Sequence, residues 1–155
     1  MPLRCIISPT KYSSGGDKMV VRLGDKRYEI LIVDDDPQIH KLLGRMLSEE
    51  KFSVQSAFSA DEAMTALKRF KPDLIVLDIM MPKVSGIEVL NHVRRNPSLS
   101  DILVLVLSAK DTQDDRLVGL EKGADDYISK PFHMRHLVRK IEHMIAKKKE
   151  TFSIN

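Results

Sequence analysis

The chain has very few of the residues that crosslink a protein or anchor it in a membrane. Its 155 residues include one cysteine, Cys5, and no tryptophan. No apolar run approaches the ~20 residues that span a bilayer, and the segment before Ile7 is too short for a secretory signal. We therefore predict no disulfide framework and no membrane partner, and we expect a reducing, cytoplasmic location.

A strong charge of one sign is also missing from the part that should fold. The net charge is +4 over residues 1–27, −3 over 28–145 and +2 over 146–155. The isoelectric point near 9.0 comes from the ends and does not indicate a nucleic-acid surface. Residues 1–27 are predicted to be a flexible leader or linker, and 147–155 a basic tail or linker. One domain, 28–146, lies between them.

Within that domain, short apolar runs alternate with helical patterns. Five runs are predicted strands: Tyr28–Val33, Phe52–Phe58, Leu74–Leu77, Ile102–Leu107 and Asp126–Ser129. Five helices are predicted at about 37–50, from the cap Ser59 to Phe70, from the cap Ser85 to Asn96, at 112–122, and from Met134 to Ile145. This alternation is typical of stacked βαβ units, which pack as a three-layer α/β/α sandwich.

Four of the predicted strands lead directly into residues that could handle a phosphoryl group, namely Asp34, Asp35 and Asp36, then Asp78, Ser108 and Lys130. The carboxyl ends of parallel strands meet at one edge of a sheet, so we expect these side chains to converge.

Each of these residues could take part in phosphoryl chemistry. Crowded carboxylates need a cation, and Mg²⁺ prefers oxygen ligands. Asp78 could act as a nucleophile that forms an aspartyl-phosphate, Ser108 could donate a hydrogen bond, and Lys130 could supply a positive charge. Taken singly, the acid run also fits a solvated loop with Asp36 as a helix cap, and Ser108 and Lys130 fit a turn and a surface lysine.

Over about residues 28–146 the chain resembles the receiver domain of two-component response regulators. The matching stretches are ILIVDDD from Ile30, DLIVLDIMMP from Asp73 with Gly86 beyond it, VLSA from Val106, and GADDYISKPF from Gly123. The resemblance implies a flavodoxin-like fold whose parallel sheet has the strand order 2-1-3-4-5.

The resemblance also implies a phosphoacceptor site. Asp78 would receive the phosphoryl group, and Ser108 and Lys130 would contact it. Mg²⁺ would be held by Asp34, Asp35, Asp78 and the carbonyl of Met80. The donor would be a sensor histidine kinase, a histidine phosphotransfer domain or a small acyl phosphate. Such a phosphoprotein is a signalling domain rather than an enzyme, because it catalyses only its own phosphorylation and dephosphorylation.

Signalling in this family implies a switch. Ser108 would move onto the new phosphoryl group and Tyr127 would swing inward. The face formed by the fourth helix, fifth strand and fifth helix would then change for a downstream effector or output domain. No direct binding of nucleic acid by this domain is expected. Whether the domain forms a homodimer is left undecided. In winged-helix regulators, an acid usually pairs with a base on the other protomer; this chain has His136 at the position of that acid, and Arg116 would be the base.

Other functions stay open on the residues alone. The spacing of Asp34 and Asp36 resembles the opening motif of haloacid-dehalogenase phosphatases. That motif needs Thr or Val two residues after the second acid, and this chain has Gln38 there. A phosphorylation-independent interaction module is a third reading, although none of the site residues is lost. The histidines have no metal-ligand spacing and are predicted on the surface: His40, His92, His133, His136 and His143. The cognate kinase, and whether the domain stands alone, stay undecided.

Overall fold

Residues 27–49, 52–108 and 122–153 are described by a computed structural model of the chain. The strands are β1 (Tyr28–Val33), β2 (Phe52–Ala57), β3 (Leu74–Asp78), β4 (Leu103–Ser108) and β5 (Asp126–Ser129). The helices are α1 (Pro37–Glu49), α2 (Ala60–Arg69), α3 (Gly86–Arg95) and the last helix (Met134–Ser153). The helix predicted at 112–122, with Arg116, falls almost entirely outside the described residues.

All five strands run parallel in the order β2-β1-β3-β4-β5, which confirms the predicted topology. The chain leaves β1 for β2 on one side and returns to β3 on the other. This reversal creates a crevice at the carboxyl ends of β1 and β3, where ligands of such sheets bind. In register, Val33 pairs with Leu77, so Asp34 and Asp78, the next residues along the chain, start side by side.

Two apolar layers cover the sheet. Alternate strand residues such as Val33, Leu77 and Val106 pack with α2 and α3 on one side. Their neighbours, such as Ile32, Val76 and Leu107, pack with α1 and the last helix on the other. The central strands β1, β3 and β4 are almost continuously apolar because helices cover both of their faces. The three-layer sandwich is therefore confirmed.

Side-chain caps start the helices where the sequence predicts them. Asp36 Oδ1 accepts a hydrogen bond from Gln38 N at 2.9 Å, and Ser59 Oγ accepts from Glu62 N at 3.1 Å. Ser85 Oγ accepts from Ile87 N at 3.2 Å. These bonds satisfy amides that have no partner within a helix.

The structure adds detail at two helices. Leu42 shares the apolar helical spacing of Leu43 and Leu47, yet half of its surface (50%) is exposed because the buried stripe of α1 centres on those two residues. The last helix runs on past Ile145 to Ser153, and Lys148 Nζ donates to the carbonyl of Asp101 at 3.1 Å. No helix among the described residues is long and apolar enough to cross a membrane.

Candidate functional site

Three carboxylates meet at the carboxyl ends of β1 and β3. Asp34 directly follows β1, and Asp78 is the last residue of β3. One carboxylate oxygen from each of Asp34, Asp35 and Asp78 lies within 4.8 Å of the others. Asp34 and Asp78 are almost fully buried, with 1% and 3% of their surface exposed, whereas Asp35 is open to solvent. The predicted convergence of these acids is confirmed.

Asp34 is held at every polar atom it has. Its amide donates to the carbonyl of Ala57 at 3.2 Å, and its carbonyl lies 2.6 Å from His40 Nε2. Its carboxylate accepts from the amide of Asp36 at 2.9 Å and from Lys130 Nζ at 3.1 Å. Such a fully partnered residue has little freedom to turn away from the cluster.

Asp78 is held by the loop that follows it. Its Oδ1 accepts from the amide of Met80 at 3.0 Å. The carbonyl of Ile79 accepts from the amide of Gly86 at 3.1 Å and from Ser85 Oγ at 3.2 Å. A Cβ atom on Gly86 would overlap the carbonyl oxygen of Asp78, so this close return of the chain requires glycine.

Lys130 brings the positive charge. Its Nζ lies 3.1 Å from Asp34 Oδ2 and 3.6 Å from Asp78 Oδ2. Its amide donates to the carbonyl of Ser108 at 2.6 Å, which ties the end of β5 to the end of β4. The peptide bond from Lys130 to Pro131 is cis.

The charges act on one another. Burial raises the pKa of Asp78; Lys130 and the amide of Met80 oppose this shift, while the charges on Asp34 and Asp35 add to it. Burial lowers the pKa of Lys130, but the charges on Asp78 and Asp34 outweigh this effect and the net shift is upward. The ammonium is therefore retained at neutral pH, and the cluster favours any further cation.

The other predicted site residues are buried to different extents. Ser108 ends β4 and is buried at 2% exposure, and its register partner is Ser129. The side chain of Met80 is exposed (53%), and its amide contacts Asp78. Tyr127 pairs with Val106 and packs, half-buried, on the side of the sheet that faces α2 and α3.

His40 corrects one prediction. It was expected on the surface, but only 7% of it is exposed, and its ring lies 4.2 Å from the ring of Phe58. A signal was available, because His40 shares the helical spacing of Leu43 and Leu47, both fully buried. His133, His136 and His143 are exposed as predicted, and His92 is half-buried.

The donor set suits a hard divalent cation. The cluster offers carboxylate oxygens only. Two of its three carboxylates, those of Asp34 and Asp78, are buried and repel each other. Mg²⁺ binds such oxygens, keeps several waters and uses few protein carboxylates. The exposed position of Asp35 leaves one side of the cluster open to water and substrate.

Comparison with known proteins agrees with this geometry. Residues 30–142 match the response regulator receiver domain family. The chain belongs to this family. The receiver domain of Francisella response regulator 1452 superposes with a TM-score of 0.72 at 30% identity, over 78% of this chain and 98% of that one.

Curated relatives extend beyond this receiver domain. Response regulator MprA of Mycobacterium leprae is 40% identical over 120 residues, which cover 77% of this chain and 52% of that protein. The probable transcriptional regulatory protein TcrX of Mycobacterium tuberculosis is 37% identical over 119 residues, which cover 76% and 50%. The chain thus spans about half the length of these relatives.

Proposed function

We propose that this receiver domain accepts a phosphoryl group on Asp78, with Mg²⁺ as cofactor. The donor is a phosphohistidine on a sensor histidine kinase or a histidine phosphotransfer domain, or a small acyl phosphate. One observation carries most of the support: the buried carboxylate of Asp78 lies at the carboxyl end of β3, with an ammonium 3.6 Å away and carboxylates of two further acids beside it.

The reaction is a displacement at phosphorus. A carboxylate oxygen of Asp78 forms the new P–O bond while the P–N bond to the donor histidine breaks, and the electron pair of that bond stays on the histidine nitrogen. With an acyl phosphate, a P–O bond breaks and the carboxylate leaves. Phosphoryl transfer depends mainly on positioning and on neutralising charge, both of which this site can supply.

The chain's own residues have distinct roles in this proposal. Asp34, Asp35, Asp78 and the carbonyl of Met80 would hold Mg²⁺, which when bound neutralises the carboxylates and the oxygens of the transferred group. Lys130, already between Asp34 and Asp78, neutralises a phosphoryl oxygen. The hydroxyl of Ser108 donates a hydrogen bond to the same group.

Ser108 also begins the switch. Its movement onto the phosphoryl group opens space into which Tyr127 turns. The face that the helix predicted at 112–122 would form with β5 and the last helix then changes for an effector or an output domain. Adding charge can shift this equilibrium only through contacts that differ between the two states, and Ser108 and Lys130 supply such contacts.

The kinase would approach from the side of α1 and the loop after β5. Leu42 is half exposed, Gln38 and Pro131 are exposed, and Ile39 and Phe132 are half-buried on the same apolar layer. These residues follow Asp34 and Lys130 closely in the chain, so a helical phosphohistidine domain could dock beside those two residues. A cytoplasmic location accords with such a partner.

The decisive test is intact-mass measurement after incubation with acetyl phosphate and Mg²⁺. Wild type should gain one phosphoryl group, and Asp78→Asn none, because an amide is not a competent nucleophile. Asp36→Asn is the matched control and should keep the adduct, since Asp36 caps α1. An undiminished adduct on Asp78→Asn, or turnover of a generic phosphomonoester by the wild type, would reject the proposal.

The metal assignment has its own test. Asp35→Ala should weaken Mg²⁺ binding far more than Asp36→Ala does, with both followed by amide NMR shifts during a Mg²⁺ titration. Equal losses would show that the acids have been assigned wrongly.

A further inference from the structure

His40 is a buried polar side chain beside the acid cluster. Its Nε2 lies 2.6 Å from the carbonyl oxygen of Asp34. A carbonyl oxygen can only accept a hydrogen bond, so Nε2 carries the proton and donates. The ring of Phe58 packs against the imidazole at a tilt, with the centroids 4.2 Å apart.

Packing alone does not account for a histidine at this position. The other ring nitrogen, Nδ1, is buried and has no hydrogen-bond partner in the part of the chain that the structure describes. A buried polar atom without a partner costs about 1–3 kcal/mol, which a phenyl ring in the same space would avoid. The imidazole must therefore contribute something that an apolar ring cannot, and its visible contribution is the bond to Asp34.

That bond acts on two residues at once. The carbonyl of Asp34 belongs to the planar peptide group that joins Asp34 to Asp35. Holding its oxygen sets the plane of this group and so the directions in which both side chains leave the backbone. Asp34 has other anchors, but Asp35 is exposed and directly follows the fixed peptide group.

We infer that His40 is a positioning residue for the metal site, and that its Nε2–H orients the peptide group between Asp34 and Asp35 for binding Mg²⁺. The inference rests on the proposed function for the identity of the ion. Residues that orient metal ligands typically change metal affinity by about 10–100-fold when they are removed.

Three variants separate hydrogen bonding from packing. His40→Phe keeps a ring against Phe58 but has no donor, whereas His40→Gln places an amide N–H near the position of Nε2. Phe58→Leu removes the ring contact and leaves the donor in place. We expect Mg²⁺ affinity, measured by amide NMR titration of the full chain, to fall about 10-fold or more in His40→Phe. His40→Gln and Phe58→Leu should stay near wild type.

Two results would overturn the inference: unchanged Mg²⁺ affinity in His40→Phe, or an equal loss in His40→Gln. If His40→Phe does not fold, ¹⁵N shifts of the wild-type imidazole decide, because a proton on Nδ1 and none on Nε2 contradicts the proposed bond. Mg²⁺ affinity is measured separately from phosphorylation. If the wild type binds Mg²⁺ but forms no phosphoryl adduct, the proposed function is rejected. The His40 variants would still test whether His40 orients the metal site.

Discussion

At Asp78, burial and charge act against each other. Its carboxylate is only 3% exposed, and two other acids lie beside it, while Lys130 Nζ lies 3.6 Å away. Burial raises its pKa, so the folded protein favours the protonated form more than the unfolded chain does. Its ionisation therefore reduces the free energy of unfolding as the pH rises through the raised pKa.

This conflict predicts that Asp78→Asn is more stable than wild type at pH 7 without divalent cations. Asparagine has no carboxyl group to ionise, and the ion pair of Lys130 with Asp34 at 3.1 Å remains. The gain should be about 1 kcal/mol, the scale of an ordinary single substitution. It should shrink as the pH falls through the raised pKa of Asp78, and it should vanish below the ordinary carboxyl value of 3.8, where Asp78 is protonated in both states.

Urea unfolding at neutral and acid pH, with a chelator present, measures this difference. Asp36→Asn is the control, because Asp36 is exposed and asparagine also caps helices well. A variant at Asp78 that is less stable than wild type at pH 7 would mean that the ion pair with Lys130 outweighs the cost of burial.

Among the elements, the loop between β3 and α3 does most to shape the site. Lys83 has a positive φ of 69°, and the amide of Val84 donates to the carbonyl of Pro82 at 2.9 Å. This tight turn brings the first residue of α3, Gly86, against the backbone of Asp78. The position of the proposed nucleophile therefore depends on a residue that has no side chain.

Gly86→Ala should destabilise the protein by roughly 1–3 kcal/mol, the usual cost of overpacking. The added Cβ would lie 2.9 Å from Ile79 Cα and would overlap the carbonyl of Asp78, and backbone atoms cannot move aside cheaply. Thermal unfolding measures the loss, and the yield of the phosphoryl adduct should fall with it.

Gly44→Ala is the matched control in α1. Nothing lies within 4 Å of its added Cβ, so the helix propensity of alanine should stabilise the protein by about 1 kcal/mol. If the two substitutions shift the unfolding temperature in the same direction, then the close approach at Gly86 does not carry the energy assigned to it.

At the scale of the whole molecule, the two residues of the proposed switch belong to one side of the sheet. Tyr127 packs on the side of α2 and α3, and by strand alternation Ser108 continues the row of Val104 and Val106 on that side. The segment that leads into β5 is held there by Arg94, which donates to the carbonyls of Gly123 and Ile102, each at 2.7 Å. It also pairs with Asp125 at 2.7 Å.

This arrangement predicts how phosphorylation spreads. With beryllofluoride and Mg²⁺ as a mimic of the phosphorylated state, hydrogen exchange should change across residues 111–129 as well as around Asp34 and Asp78. The change should pass through Ser108, whose backbone is bonded to Lys130. Changes confined to the loops at Asp34 and Asp78 would mean that the domain signals through another face. Asp78→Asn, treated in the same way, should show no change.

The sequence by itself determined the architecture and proposed a set of candidate site residues. Apolar runs of strand length alternate with helical periods, and burial on both faces explains why Ile30–Val33, Leu74–Leu77 and Leu103–Leu107 are wholly apolar. Parallel pairing then brings those ends to one edge, so Asp34, Asp78, Ser108 and Lys130 could be chosen before any coordinates were known. These inferences need only periodicity and direction, which are local properties.

Only the tertiary structure decided how these residues meet. The ion pairs of Lys130 with Asp34 and Asp78, the close approach of Gly86 to Asp78, and the bond from His40 to Asp34 each join different elements. His40 was misjudged because a polar residue type outweighed its helical spacing in the prediction. Such contacts depend on strand register and helix placement, which arise from packing the whole chain, and no short stretch of sequence contains them.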